Sequence, residues 1–400
     1  MENKRIITKP ILILSLVSLF TDVASEMLYP IMPVYLKSIG FSVLLIGILE
    51  GLAESVAGFS KGYFGHLSDY KRQRVPFIRS GYGLSAIAKP LLAIFSFPWW
   101  VFLARTLDRL GKGIRTSARD ALLSENTTPE YKGRVFGFHR SLDTLGAAIG
   151  PSITLLLLLI LPGQYRLLFV LSFIPGLLAI MLTLLIKEKR NHSNHSQEAP
   201  SFWGFLGYWK VAPKTYKHIV TGLLLFTLFN SSDVFLLLAL KEKGYSDTAM
   251  IGFYIFYNVV YALLSYPIGK MADRIGRKRV MIGGLLLFCI VYSFFGFVSS
   301  IPAIILLYML YGGYSAATEG ISKAIITNIA SEETTATALG FFNAFSSIAT
   351  LLASVLGGFI WYSFSSKHMF VISGIGAFIA TLYLTFKLIK SQPPQSENRL

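Results

Sequence analysis

Apolar residues in this chain arrive in blocks of about 20, and short polar breaks separate one block from the next. A helix needs about 20 apolar residues to cross the hydrocarbon core of a bilayer. Inside that core every backbone N–H and C=O needs a partner, which a helix provides within its own segment. The pattern therefore predicts an all-α polytopic membrane protein with about 12 spans. We place these spans at 11–36, 41–64, 77–97, 99–122, 134–161, 165–187, 217–240, 248–270, 280–299, 301–327, 337–363 and 366–388.

The amino-acid composition excludes a soluble globular protein. Of the 400 residues 53% are hydrophobic and 14% are charged, whereas charged residues make up about a quarter of a soluble domain. The polar surface that remains is too small to cover a globule in water. The sequence also shows no set of nucleophile, histidine and acid and no complete phosphate-binding loop, so we expect a protein that is not an enzyme.

The formal net charge of +16 is distributed unevenly along the chain. Basic residues cluster in alternate breaks, among them 71–74, 132–134 and 270–279, and the other breaks carry few. In membrane proteins the loops rich in Lys and Arg face the cytoplasm. The distribution predicts a multi-pass protein of a bacterial inner membrane with both termini in the cytoplasm. It also explains the basic charge without a nucleic-acid partner.

The longest polar stretch divides the chain near its middle. We interpret residues 1–187 as one six-helix bundle, 188–216 as a cytoplasmic linker, and 217–400 as a second bundle with a short cytoplasmic tail. The spacing of His192 and His195 in the linker is compatible with a metal site, but a solvated loop is the simpler interpretation. We therefore predict no metal site and no bound cofactor.

The two bundles carry a repeated sequence. Gly65-His-Leu-Ser-Asp69 in the first corresponds to Gly269-Lys-Met-Ala-Asp273 in the second, and both follow an apolar span and precede a basic cluster. Two parallel six-helix repeats indicate a substrate path along their interface. Fixed glycine and aspartate positions also have a physical use. The glycines allow close helix approach, and the aspartates can accept hydrogen bonds from an arginine or a neighbouring helix N terminus.

The repeated segments extend to GHLSDYKRQR (65–74) and GKMADRIGRKR (269–279). Both resemble the loop signature of the major facilitator superfamily, G-x-x-x-D-(R/K)-x-G-R-(R/K), although Tyr70 and Gln73 depart from it in the first copy. The resemblance implies the major facilitator fold, with 12 helices in two pseudo-symmetric six-helix bundles and alternating access. The cytoplasmic gate is then predicted at Gly65, Asp69, Arg72, Arg115, Arg119, His139, Arg140, Asp143, Gly269, Asp273, Arg274 and Arg277.

Two further patterns resemble a narrower group, the tetracycline-efflux-like, proton-coupled drug and metabolite antiporters. The first span reads Asp22…Pro30-x-x-Pro33, and the fifth carries Gly146-Ala-Ala-Ile-Gly150-Pro151, similar to the antiporter signature G-x-x-x-G-P. Small residues allow tight helix contact and proline bends the span. This resemblance implies export.

Ionisable groups inside a membrane are costly unless they are paired or face water, yet the predicted spans carry many. In the fourth span Arg109-x-x-x-Gly113 resembles the family's arginine motif, with Lys112 in place of the usual glutamine, which implicates Arg109 in proton transfer. Asp22 and Glu26 lie four residues apart on one helix face and are the leading proton carriers. The proton-coupling and substrate-cavity residues are predicted as Asp22, Glu26, Glu50, Glu54, Arg105, Asp108, Arg109, Lys112, Asp233 and Glu319.

The leading hypothesis is a monomeric secondary transporter that exports a small organic solute, driven by the proton gradient. A first alternative is an importer or facilitator of an anionic solute such as an organic acid or siderophore, because the fourth span is cationic. Divalent-metal export and a non-transporting scaffold are further alternatives. The intramembrane charges also have a static interpretation as salt bridges between helices, in which Glu319 and Lys323, four residues apart, pair with each other.

Overall fold

The computed structural model describes residues 6–29, 31–188 and 200–390. The side chains of residues 33, 34, 43, 44, 46–48, 50 and 388–390 are outside this description. The predictions for Pro30, His192 and His195, and for the side chains of Pro33 and Glu50, therefore lie outside the described part of the chain.

The described residues form α-helices and short 3-10 turns, and no strand occurs among them. Two helices that follow each other closely, such as α1 and α2, together make one membrane-crossing rod. The helices are α1 (Lys9–Glu26), α2 (Met32–Ser38), α3 (Val43–Lys71), α4 (Val75–Ile94), α5 (Pro98–Glu125), α6 (Lys132–Ile160), α7 (Tyr165–Leu171), α8 (Phe173–Thr183), α9 (Tyr208–Val211), α10 (Lys214–Thr227), α11 (Val234–Glu242), α12 (Asp247–Ile275), α13 (Arg277–Phe295), α14 (Ile301–Ile329), α15 (Thr335–Ser363) and α16 (Ser366–Lys390).

Within the described ranges the helices form twelve rods, when the broken helices are joined in the pairs α1–α2, α7–α8 and α10–α11 and the short α9 is set aside. Each rod coincides with one predicted span, so the prediction of twelve crossings in two six-helix bundles is confirmed. The break between α10 and α11 falls on the polar run 230–233, Asn-Ser-Ser-Asp. Such residues compete with the helix for backbone hydrogen bonds.

The surface of the rods is suited to lipid. Among the described residues, seven helical segments are long and apolar enough by themselves to cross a membrane. Large apolar side chains point outward along them, for example Leu159 at 71% exposure and Phe359 at 64%. In water such a surface would be unfavourable, whereas lipid chains are as apolar as leucine. The chain is a multi-pass membrane protein.

Two pairs of long helices hold the halves together, α3 with α15 and α6 with α12. Glycine permits the close approach in both pairs. A Cβ atom at Gly65 would lie 2.4 Å from the Ala336 carbonyl oxygen, and one at Gly269 would lie 2.4 Å from the Gly133 carbonyl oxygen. The repeat seen in the sequence is thus a repeat in packing.

The end of the linker is folded against both halves. Phe205 is 1% exposed and packs with Tyr208, Tyr216 and Leu339. On the other side its ring closes over Gly62 of α3, where a Cβ atom would lie 2.7 Å away. Residues 200–211 therefore cover the seam between α3 and α15, whereas the sequence indicated a polar connection.

Candidate functional site

Asp69, near the end of α3, caps the N terminus of α15 in the opposite half. Its Oδ2 accepts hydrogen bonds from the backbone N–H and the hydroxyl of Thr337, both at 2.6 Å, and its Oδ1 accepts one from the Ala336 N–H at 3.3 Å. Arg74 adds an ion pair at 2.7 Å. The partial positive charge at a helix N terminus favours a carboxylate at this place. Asp69 thus makes both kinds of contact that the sequence predicts.

Asp273, near the end of α12, repeats this arrangement on α6. It accepts hydrogen bonds from the Gly133 N–H at 2.9 Å and the Arg134 N–H at 2.8 Å, and Arg277 pairs with it at 2.7 Å. Arg277 also donates to the carbonyl oxygen of Glu130 at 2.9 Å. One carboxylate from each half therefore caps a helix of the other, which holds the two halves together at this face.

The two remaining loop arginines lie at the surface. Arg72 pairs with Glu333 of the other half at 3.2 Å, with both side chains largely exposed. Arg274 is exposed. An exposed ion pair contributes at most about 1 kcal/mol, so the buried carboxylates contribute more to this gate than the surface pair.

Several residues predicted at the gate lie deeper. Arg140 and Asp143 are eight and eleven residues from the start of α6 at Lys132, which at 1.5 Å per residue is about 12–16 Å. Helix α5 continues to Glu125, three residues beyond the predicted span, and Arg115 and Arg119 lie buried along it. His139 is buried, and neither ring nitrogen has a hydrogen-bond partner among the described residues. The residues that line the central cavity instead of the gate are Arg115, Arg119, Arg140 and Asp143.

This cavity has a volume of about 300 Å³ and lies between the halves. Its N-terminal wall comes from α1 and α3–α6, and its C-terminal wall from α10 and α13–α15. Six cationic side chains face it against three acidic ones. The cations are Lys61, Lys112, Arg115, Arg119, Arg140 and Lys323, and the acids are Asp22, Asp143 and Glu319.

Ion pairs across the cavity join the halves. Glu319 of α14 lies 2.6 Å from Arg140 of α6, and Arg140 also pairs with Asp143 at 2.5 Å. Lys323, one turn further along α14, lies 2.8 Å from Asp120 of α5. The expectation that Glu319 and Lys323 pair with each other is therefore wrong. Each finds an opposite charge on the other half.

Asp22 lines the cavity without a hydrogen bond or ion pair to any other residue that the structure describes. Glu26, one turn along α1, accepts a hydrogen bond from the Tyr254 hydroxyl of α12 at 3.1 Å. Of the two leading carboxylates, one therefore lines the cavity without an ion pair to a described residue, and the other contacts the opposite half.

Asp108 belongs to a pair inside the N-terminal half. Its Oδ1 lies 3.2 Å from the Lys89 ammonium, and its Oδ2 lies 3.8 Å from Arg105. Lys89 is 2% exposed, so this pair is screened from water. Arg109 pairs with Glu54 at 3.6 Å. These acids have partners within their own half.

Similarity to known proteins now adds to this geometry. A family model described as Major Facilitator Superfamily matches residues 14–258 and 247–400. An uncharacterized MFS-type transporter of Methanocaldococcus jannaschii is 34% identical over 391 residues, which cover 96% of both chains. The chain belongs to the major facilitator superfamily. Members of this superfamily are transporters and not enzymes.

More distant matches span a similar length. The multidrug resistance protein MdtG of Citrobacter koseri is 24% identical over 364 residues, or 88% of both chains. Among solved structures, the human organic anion transporter MFSD10 (TETRAN) has a TM-score of 0.78 at 17% identity, covering 94% of this chain and 98% of that one. The FucP transporter has a TM-score of 0.75 at 14% identity, covering 97% and 100%. These structures share the fold.

In this major facilitator transporter the antiporter-like motif of α6 packs against α1. A Cβ atom at Gly146 would lie 2.4 Å from the Leu19 carbonyl oxygen, and one at Gly150 would lie 2.8 Å from the Met27 backbone nitrogen. Pro151 is buried within α6. The motif therefore sets the position of the α1 segment that carries Asp22 and Glu26.

The C-terminal half contributes polar groups beside aromatic rings. Asp233, at the break between α10 and α11, accepts a hydrogen bond from the Tyr311 hydroxyl at 2.6 Å. It does not line the central cavity. Asn230 in the same break does, and it donates to the Tyr314 hydroxyl at 2.8 Å.

Two lysines of the transporter are absent from the predicted set. Lys61 lines the cavity and donates to the Ser347 hydroxyl of the other half at 3.4 Å, and Lys89 pairs with Asp108. Both lie within predicted spans, which is itself a signal, since an intramembrane cation is costly. Among the described residues no group of three or more His, Cys, Asp or Glu could hold a metal ion.

Proposed function

We propose that this transporter couples protons to the movement of a small organic anion, with Asp22 as the proton-binding group. The observation that supports this proposal is a difference in ion pairing among the three acids of the central cavity. Asp143 and Glu319 both pair with Arg140, whereas Asp22 has no ion pair to a described residue. A carboxylate that faces water without a fixed cation is the one whose protonation changes most easily.

The charge of the cavity supports an anionic solute. Six cations line the cavity against three acids, and they remain in excess when Asp120, which pairs with Arg119 and Lys323 from behind the lining, is counted as well. The local field therefore attracts anions and repels metal ions. The planar guanidinium fork of Arg115, which lines the cavity without an ion pair to a described residue, also matches the geometry of a carboxylate. The anionic alternative from the sequence is therefore favoured over divalent-metal export.

The sign of the coupling follows from the same charges. Protonation of Asp22 removes a negative charge from the cavity and so strengthens anion binding, and by reciprocity the anion strengthens proton binding. Mutual stabilisation favours transport of both in one direction, which is symport and, with an inward proton gradient, import. For a monoanion this cycle moves no net charge. One pH unit would then supply about 1.4 kcal/mol, or a tenfold gradient.

A second candidate is proton-coupled export, the leading hypothesis from the sequence. The antiporter-like packing of Gly146 and Gly150 on α1 favours it, as does the similarity to relatives named multidrug resistance proteins. Exchange of one inward proton for one outward monoanion moves two charges in the same sense. A potential of 100 mV would then supply about 4.6 kcal/mol.

Both candidates have the same orientation and energy source. We infer that the face carrying Asp69 and Asp273 lies in the cytoplasm of a bacterial inner membrane, because the basic breaks cluster there. The proton gradient drives either cycle, and neither needs a bound cofactor.

Proteoliposomes loaded with a pH-sensitive dye test both candidates. External gluconate, benzenesulfonate or succinate is added, with or without a valinomycin-imposed potassium potential. Symport of a monoanion acidifies the interior at a rate that is independent of voltage. Exchange of the external anion for an internal proton makes the interior alkaline at a voltage-dependent rate. Anion uptake without a change in internal pH would contradict coupling, and binding of ethidium in place of the anions would contradict the solute class.

The Asp22→Asn variant tests the assignment of the proton site. It should lose proton flux at least tenfold and still bind the anion. Asp247→Asn, an exposed acid outside the cavity, is the control and should keep wild-type flux.

A further inference from the structure

A second cavity, of about 560 Å³, opens on the outer surface between α10 and α15, below the linker helix α9. Its walls are apolar apart from one threonine. Trp209 of the linker stacks on Phe341 of α15 at 5.4 Å and closes one end. The lining residues are Leu206, Trp209, Thr221, Leu224, Leu225, Leu228, Phe341, Phe345, Ile348, Ala349 and Leu352. We call this cavity the linker groove.

The length of the linker groove matches one leaflet. Along α15 it runs from Phe341 to Leu352, eleven residues apart, which at 1.5 Å per residue is about 16 Å. The hydrocarbon core of a bilayer is about 30 Å thick. The groove therefore begins near the membrane surface at the linker and ends near the bilayer centre, a depth suited to one acyl chain.

Three lysines stand at the surface end of the groove. On α10, Lys214 and Lys217 lie seven and four residues before Thr221, so these side chains share the face that continues into the groove. Lys210 follows Trp209 directly. The Lys217 ammonium donates a hydrogen bond to the carbonyl oxygen of Lys210 at 3.2 Å. Lys210 and Lys214 are exposed. An apolar slot thus ends in a cluster of cations.

We propose that the linker groove binds one anionic phospholipid of the leaflet on the linker side. An acyl chain fills the apolar slot, and the phosphate lies among Lys210, Lys214 and Lys217. Lysine ammonium groups near a membrane surface attract anionic headgroups. A zwitterionic lipid presents the same chains with a compensating cation, so the site distinguishes lipids by headgroup charge.

Native mass spectrometry of the purified full chain measures this binding with dioleoyl phosphatidylglycerol and dioleoyl phosphatidylcholine. We expect one phosphatidylglycerol to be retained with at least fivefold higher affinity than phosphatidylcholine. The triple variant Lys210→Gln, Lys214→Gln, Lys217→Gln should fall to the phosphatidylcholine level. The control variant removes three cations from the basic break 270–279 on the same side of the membrane, Lys270→Gln, Lys278→Gln and Arg279→Gln. It should retain the preference for phosphatidylglycerol.

A variant that fills the groove distinguishes a specific lipid-binding site from nonspecific electrostatic attraction of anionic lipid. Thr221→Phe narrows the slot and leaves all three lysines in place, so it should also lose the retained lipid. Melting curves without added lipid verify that each variant is folded. Equal loss in the control triple variant would overturn the proposal, because any basic patch would then suffice. Unchanged binding in Thr221→Phe would overturn it too, because the slot would play no part.

Discussion

Lys323 of α14 lies 2.8 Å from Asp120 of α5, and this ion pair joins a cation of one half to a fully buried acid of the other. Asp120 also pairs with the neighbouring Arg119 at 2.8 Å. A single carboxylate thus neutralises two cations that face the central cavity. Because both halves contribute, the pair has to separate whenever the halves move apart at this depth.

The first prediction concerns the order of stability losses at this site. Asp120→Asn leaves the buried Arg119 and the half-buried Lys323 without their acid, and breaking a buried pair costs about 3–5 kcal/mol. Lys323→Gln should cost less, because Arg119 still neutralises Asp120. Thermal unfolding in detergent measures both, and the double variant should be less destabilised than the sum of the two. A larger loss for Lys323→Gln than for Asp120→Asn would contradict this assignment.

The second prediction concerns the two capping carboxylates. Asp69→Asn weakens charged hydrogen bonds worth about 1.5–3 kcal/mol. The state in which the two halves are joined at this face, here called the closed state, should therefore lose about tenfold in population. Cysteines at Arg72 and Glu333, in a Cys289→Ser background, report closure through cross-linking. We expect the two halves to move as rigid units, so Asp273→Asn should lower the same cross-link although it lies at the other contact between the halves.

The Asp247→Asn variant serves as the control for this cross-link, since that acid lies outside both contacts. If Asp273→Asn leaves the Arg72–Glu333 cross-link unchanged while Asp69→Asn lowers it, the two contacts open separately. The idea that the halves move as rigid units would then be wrong.

The sequence was a good guide where the signal is local. Twelve spans could be read from block length, because a helix in lipid satisfies its own backbone. The repeated Gly65–Asp69 and Gly269–Asp273 segments indicated capping carboxylates, and the structure shows both at helix N termini. Each of these features depends on a few neighbouring residues.

Partners across the interface could not be predicted. Spacing places Glu319 and Lys323 on one face, but it says nothing about the acids and bases of α5 and α6 that face them. Lys61 and Lys89 lie in mostly apolar spans, and because apolar residues occur on every side of these helices, periodicity does not show which face is inward. The packing of Phe205 on Gly62 also joins residues that are distant in sequence, and no local pattern predicts it.

The third prediction concerns the packing of α6 on α1. Gly146→Ala places a Cβ atom 2.4 Å from a backbone oxygen of α1, so the helices have to separate, at a cost of about 1–3 kcal/mol for an overpacked site. Proton flux should fall as well, since Asp22 moves with α1. Gly252→Ala is the matched control, because the added Cβ meets no neighbouring element within 4 Å, and it should not lower the melting temperature. Similar melting temperatures for the two variants would contradict close packing at Gly146.

The fourth prediction separates a structural acid from a proton carrier. Asp108→Asn leaves Lys89 as a buried cation with its ion pair broken, so it should lose about 3 kcal/mol or more of stability. Adding Lys89→Met removes that cation and should restore most of the loss, and the folded double variant should keep substrate-driven proton flux. Asp22→Asn should behave in the opposite way, with a small change in melting temperature and a loss of flux, because this carboxylate has no ion pair to break. Melting curves and dye-loaded proteoliposomes measure both quantities on the same preparations. If the Asp108→Asn, Lys89→Met protein is stable but transports no protons, Asp108 carries the proton and the assignment to Asp22 is wrong.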